Sequence, residues 1–208
     1  GPGFQIAVII FIAGVFIRIA EILLLGRKTN LAEAKGSEMS SGLRTIITRS
    51  IPDKGTLQRS SFTVVAGYIF HIGLFVTIFF FAPHILMFKD VIGISWPSLP
   101  TAVVDAVTVV SIIALLAILV NRMRNTVLKF LTTTEDYLVW LLTILPLITG
   151  YIAFHRIGMT APTLLAIHIL SVELLLVFFP FTKLMHTFTV LLSRWYGGAI
   201  SGYRGVKS

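Results

Sequence analysis

Cysteine is absent from the 208 residues, which excludes disulfides, thiolate-held iron–sulfur clusters and covalently attached c-type haem within the chain. Charge is scarce as well: 12% of residues are Asp, Glu, Lys or Arg, against 56% hydrophobic. Soluble globular domains carry about a quarter charged residues, so a fold solvated mainly by water is excluded. Walker-type phosphate loops and serine-nucleophile motifs are missing too. The chain has no internal repeat of the kind found in transporters built from duplicated halves. It also lacks the short alternating strands of a transmembrane β-barrel.

What is present is a set of long apolar runs. A hydrocarbon core about 30 Å thick takes roughly 20 apolar residues per helical crossing, and five such runs occupy residues 4–25, 62–82, 102–120, 137–154 and 164–185. The first is too long for a signal peptide, lacks a small-residue cleavage site and is followed by basic residues. The expected fold is therefore an all-α integral membrane protein, a bundle of five transmembrane helices. Positive residues collect in short cytoplasmic loops. Here Arg27, Lys28, Lys35, Arg44, Arg49, Lys54 and Arg59 follow the first run, Arg122, Arg124 and Lys129 follow the third, and Lys183, Arg194, Arg204 and Lys207 close the chain. Only Lys89 and Arg156 fall on the other side. This places the N-terminus outside and the C-terminus, the 26–61 loop and the 192–208 tail in the cytoplasm. The net charge of +8 is then a topology signal with no nucleic-acid partner implied. Trp96 outside, and Trp140, Trp195 and Tyr196 inside, suit interfacial aromatic belts.

The 26–61 loop is too short and too poor in apolar residues to build a core. Residues 36–42 read as linker, while Leu43, Ile46 and Ile47 beside Arg44 and Arg49 make an amphipathic turn or two before Pro52. Two readings stand: a lipid-facing loop, or a docking surface for a cytoplasmic partner.

With no thiols, any redox cofactor must be held by histidine or live on a partner. All five histidines, His71, His84, His155, His168 and His186, lie in or beside a span. His168 and His186 are 18 residues apart, which in a continuous helix is five whole turns, one shared face and roughly 27 Å of rise. The second span runs outward, with His71 in its inner half and His84 at its outer end. By depth, His71 then faces His186 near the cytoplasm and His84 faces His168 nearer the outside. Two stacked bis-histidine sites between helices suit a pair of b-type haems, whereas zinc needs three or four clustered donors. Lys183, one turn before His186, either pairs with a haem propionate or snorkels to the interface. Arg18 and Glu21 are spaced to satisfy each other. Glu173 is a proton-path or a structural residue. Lys89 and Asp105, on the outer side, are candidates for a quinone pocket, with a solvated loop the other reading of Lys89.

The segment Phe70-His71-Ile72-Gly73-Leu74, and the run His168 to Phe179-Pro180-Phe181-Thr182-Lys183-Leu184-Met185-His186, resemble the cytochrome b subunit of respiratory nitrate reductase. They are still more similar to its relatives, the haem b membrane subunits of heterodisulfide reductase and of sulfite-reduction-associated membrane complexes. The resemblance spans the five-helix plan, making residues 1–208 one cytochrome b-like domain in the cell's inner, cytoplasmic membrane. It implies an electron-transfer subunit of an oxidoreductase complex, working between membrane quinone or quinol and a cytoplasmic iron–sulfur subunit through two haems. In the nitrate reductase pattern the second ligand of span two follows the first by ten residues, and here that position is Phe81. His84 comes 13 residues after His71, about 140° off its face in an ideal helix, unless Pro83 ends the helix and re-aims the side chain. His155, at the outer end of the fourth span, is the reserve ligand. Two rival functions are a transporter or channel subunit with a histidine-lined path and a membrane anchor without haem.

Overall fold

The computed structural model describes residues 1–26, 31 and 33–206; Arg27, Lys28 and Lys207, which entered the topology reading, lie outside these. Among the described residues the regular structure is helical: α1 (Pro2–Leu24), α2 (Glu38–Thr48), α3 (Lys54–Phe80), α4 (Ala82–Ile92), α5 (Thr101–Arg124), α6 (Thr126–Leu131), α7 (Thr134–His155), α8 (Ala161–Phe178) and α9 (His186–Tyr203), with 3₁₀ turns at Phe179–Phe181 and Lys183–Met185. Five stretches are long and apolar enough to cross a bilayer: α1, α3, α5, α7 and α8 with the turn that follows it. The chain is a multi-pass membrane protein. Its contacts divide it into two compact units, Gly1–Arg59 with Leu176–Ser208, and Ser60–Leu175.

The second unit has a core of Phe70, Ala114, Leu115, Ile144 and Leu147. Trp140, half-buried, packs against it and donates its indole N–H to the Leu115 carbonyl at 2.9 Å. Helix association in lipid depends on close packing and interhelical hydrogen bonds, because lipid tails are as apolar as the side chains. Both occur between α3 and α5. The Thr77 and Thr108 hydroxyls lie 2.9 Å apart, and a Cβ added at Gly73 would overlap Ser111 Oγ. At the end of α3 the unpaired carbonyls that any helix leaves find donors: the His84 ring at Thr77, the Trp96 indole at Phe79 and the Leu99 N–H at Phe80. At the other end of α5, Asn125 caps α6, Thr133 and Asp136 form a capping box on α7, and Arg122 meets Asp136 at 3.4 Å.

In the first unit α1 packs on the Phe179–Phe181 turn, with Phe11 and Phe179 edge to face at 5.2 Å. A Cβ at Gly14 would come within 2.6 Å of the Pro180 ring, and Arg18 Nε donates to the Pro180 carbonyl at 3.4 Å. Arg18 also pairs with Glu21 at 2.9 Å, as their spacing implied, so this charge inside a span has two partners. Helices α2 and α9 form a tight pair. Thr45 of α2 lies against Gly198, Ser41 against Gly202, and Gly42 against the Trp195 ring. The two glycines are four residues apart, the small-residue spacing that lets helix backbones approach closely. Arg194 Nη1 donates to Ser50 Oγ at 2.8 Å just past the end of α2.

The fifth run departs from the single helix expected for it. Pro180 has no N–H to continue the α-helical ladder, and α8 gives way there to two 3₁₀ turns before α9 starts at His186. The eighteen-residue spacing of His168 and His186 is therefore no helical register, and the shared face and 27 Å rise inferred from it do not hold.

Two measurements check this packing. Gly73→Ala should lower the melting temperature in detergent, by an overpacking cost of about 1–3 kcal/mol. Ser111→Ala in the same chain should recover most of the loss, since it removes the overlapping oxygen; an unaffected single variant would contradict the close approach. Asp53, ahead of α3, accepts hydrogen bonds from the Thr56 hydroxyl and, at 3.0 Å, the Thr56 N–H. These bonds hold its carboxyl below the ordinary 3.8, the hydroxyl contributing most. A lowered folded-state value means the capping is fully present above that ordinary value and is lost as pH falls through the lowered one. Amide exchange at Thr56 should accelerate in that acid window, after correction for intrinsic rates, and Asp53→Asn should flatten the pH response.

Candidate functional site

The second unit brings two histidines together. Phe81 is extended (φ −82, ψ 125) and α4 restarts with Pro83 in its first turn, so the chain reverses after α3 and the His84 side chain returns along it. Its Nδ1 lies 2.9 Å from the Thr77 carbonyl. Its ring sits 6.2 Å, centroid to centroid, from that of His168 on α8, with the planes 17° apart. Two imidazole nitrogens sharing one metal ion at about 2 Å each place ring centroids roughly 6 Å apart.

Hydrogen bonding assigns the tautomers. A carbonyl can only accept, so the neutral His84 ring carries its proton on Nδ1 and keeps its lone pair on Nε2. His168 Nδ1 lies 3.2 Å from Thr149 Oγ1, and that hydroxyl donates to the Leu145 carbonyl at 2.7 Å. With its proton so used, the Thr149 oxygen accepts from His168, which again leaves the lone pair on Nε2. Ser171 Oγ, 2.9 Å from Thr149 Oγ1 and donating to the His168 carbonyl at 2.7 Å, closes a small polar network around the ring. Gly150 flanks it with bare backbone: a Cβ there would lie 3.0 Å from His168 Cε1.

His71 and His186 are oriented in the same manner, each within its own unit. His71 Nδ1 meets the Gly67 carbonyl at 2.7 Å, and His186 Nδ1 meets the Lys183 carbonyl at 2.7 Å. Lys183 therefore touches His186 through its main chain, and its side chain is exposed. His155 is turned the other way. Its Nε2 lies 3.2 Å from Asp105 Oδ1, and since a carboxylate accepts, the proton of the neutral ring sits on Nε2. Tyr151 covers this ring at a centroid distance of 4.4 Å. Phe81 links the two groups, with its ring 5.3 Å from His84 and 4.9 Å from Phe154. Lys89 is exposed near the end of α4, and Glu173 is half-buried on α8. Among the described residues no three His, Asp or Glu side chains gather into a metal-holding group, so the His84–His168 site offers two donors.

Sequence reading missed Thr149, Ser171 and Gly150. A faint signal for the first exists: Pro146 interrupts the α7 ladder one turn before it, and hydroxyl residues commonly serve the carbonyls near such a break.

No family model matches the chain, and no solved structure matches it. The chain is similar to a protein of Nitratidesulfovibrio vulgaris, with 36% identity over 137 residues, a stretch covering 66% of this chain and 60% of that protein. The printed name of that relative is simply "Protein", which states no activity.

If Thr149 sets the His168 tautomer, Thr149→Val should shift the ring ¹⁵N resonances of His168 and cost about 1 kcal/mol, while Thr149→Ser keeps both at their original values. Unshifted resonances in the valine variant would mean that the ring is oriented by something else.

Proposed function

We propose that the chain is the membrane cytochrome b subunit of a respiratory redox complex, exchanging electrons between membrane quinone or quinol and a cytoplasmic iron–sulfur subunit. The observation that carries this reading is the matching orientation of two neighbouring imidazoles. His84 and His168 both direct Nδ1 to an oxygen, which leaves Nε2 as the nitrogen that metal-ligating histidines present. Their neutral nitrogens suit a b-type haem, held without any covalent thioether. When bound, the haem supplies a one-electron iron couple. Were haem bound, His84 and His168 would hold the outer group, and the sequence pattern offers His71 and His186 as candidates for the inner one. The contrary orientation of His155 favours His84 as the outer partner of His168.

The protein's other tasks fall to residues at the two ends of the spans. Basic residues between the first and second spans and after the third put the C-terminus in the cytoplasm and the N-terminus outside, across the inner membrane. Asp105, paired with His155, and Lys89 are the proposed quinone contacts on the outer side. The 26–61 loop, the basic turn after α5 and the tail from 192 face an acidic partner surface. In that turn the Arg122 charge is engaged by Asp136, leaving Arg124 and Lys129 exposed. Lys183 stands near the inner site as a candidate propionate contact. The resemblance of Phe70–Leu74 and Phe179–His186 to haem b subunits supports the same reading.

Reduced-minus-oxidised spectra with haem quantitation test it. The intact chain should show b-type bands and two haems. His84→Ala and His168→Ala should each lose the outer haem, His71→Leu and His186→Leu the inner one, and His155→Ala neither, all with helicity preserved because insertion follows hydropathy. A chain free of b-type bands would refute the cytochrome and leave a transporter subunit or a plain anchor. Two haems in His84→Ala together with one in His155→Ala would reassign the outer ligand.

A further inference from the structure

Helix α2 is packed with its polarity reversed. Against α9 it packs Ser41 and buries Gly42 and Thr45, with Thr45 only 1% exposed and its hydroxyl satisfied by the Ser41 carbonyl at 2.7 Å. Its large apolar side chains point elsewhere: Met39, Leu43 and Ile47 are 60, 53 and 70% exposed. At about 100° per residue, Met39, Leu43, Ile46 and Ile47 share an arc of roughly 100°, opposite the one that faces α9. Ile51, just beyond the helix, is 73% exposed. A pair of helices solvated by water would bury the isoleucines and expose the threonine. Here glycine-mediated backbone approach holds the pair together, and the apolar stripe is left for another environment.

Charge indicates which environment that is. Arg44 and Arg49 flank the stripe and are exposed, and Lys54 follows a few residues later. An apolar face bordered by arginine is the pattern of a helix lying at the boundary between headgroups and acyl chains, where anionic lipid attracts the basic rim. The pair is also tied to the bilayer through its own unit: α9 starts directly after the turns that close the fifth crossing stretch, and that unit contains the crossing helix α1.

We infer that α2 is an interfacial helix, its Met39–Leu43–Ile47 stripe inserted into the acyl boundary of the surrounding membrane and Arg44 and Arg49 engaging anionic headgroups. This assignment is independent of the haem reading. It gives the apolar face of α2 to lipid, leaving the remaining surface of the 26–61 loop for protein contacts.

The absence of cysteine makes the test direct. Leu43→Cys, Ile47→Cys and, as the polar control, Thr48→Cys are labelled with bimane in the full-length chain. They are reconstituted in nanodiscs of phosphatidylcholine with phosphatidylglycerol, with and without doxyl-labelled lipid. Doxyl quenching at positions 43 and 47 should exceed that at 48 by at least about twofold. It should weaken in phosphatidylcholine alone and when Arg44→Gln and Arg49→Gln are added. Equal, water-like emission at all three positions would overturn the assignment. So would shielding of 43 and 47 in native membranes without quenching in nanodiscs, since a protein partner would then be covering the stripe. Quenching indifferent to lipid charge and to both arginines would overturn the headgroup contact.

Discussion

A polar group inside hydrocarbon has no water to turn to, so each one must find its partner within the protein. In this chain the requirement couples backbone and imidazole. Wherever the helical ladder is broken, carbonyls lose their usual donors, and the ring N–H of a histidine is well placed to supply one. The bond satisfies the carbonyl and fixes the tautomer in the same act, and a fixed tautomer is what turns an imidazole into a defined ligand. His84 at the end of α3 follows this logic, while at the end of the 3₁₀ turns the His186 ring shares the Lys183 carbonyl with its own backbone N–H. Phe81 and Pro180 thus shape the histidine sites although neither carries a ligating atom.

Close packing without large side chains is the second consequence of a lipid solvent. Gly73 against Ser111, Gly14 against Pro180 and Gly198 with Gly202 against α2 are all places where backbone meets a neighbour directly. Hydroxyls line these contacts, Thr77 beside Thr108 and Thr149 beside Ser171. Interhelical polar contacts are worth only about 0.6 kcal/mol on average in a membrane, so their main effect is orientation. Around His168 this is plain. Thr149, Ser171 and Gly150 together fix the ring's position, proton and clearance.

The spans were legible from hydropathy because a bilayer imposes one length on every crossing: four runs correspond to single helices and the fifth to α8 with the turns that follow it. Charge spacing also served: Arg18 and Glu21 meet as their three-residue separation implied. Helical periodicity served less well where proline intervened. The register from His168 to His186 assumed a ladder that Pro180 interrupts, whereas the turn at Pro83, weighed as a possible exception, is the feature that sets His84. The partner of the Trp140 indole could not be assigned from sequence, since nothing in the span spacing points to the Leu115 carbonyl. The Thr149 network was hidden for a similar reason: serine and threonine are ordinary in membrane helices, and their significance lies in what faces them.

The two histidine arrangements in the second unit also define a chemical contrast. His84 and His168 have neutral hydrogen-bond partners, a carbonyl and a hydroxyl, at Nδ1. His155 has a carboxylate partner, Asp105, at Nε2. The same residue type thus presents a different nitrogen because its partner differs. The Phe81–Phe154 contact lies between the groups, an apolar spacer between the His84–His168 pair and the His155–Asp105 pair.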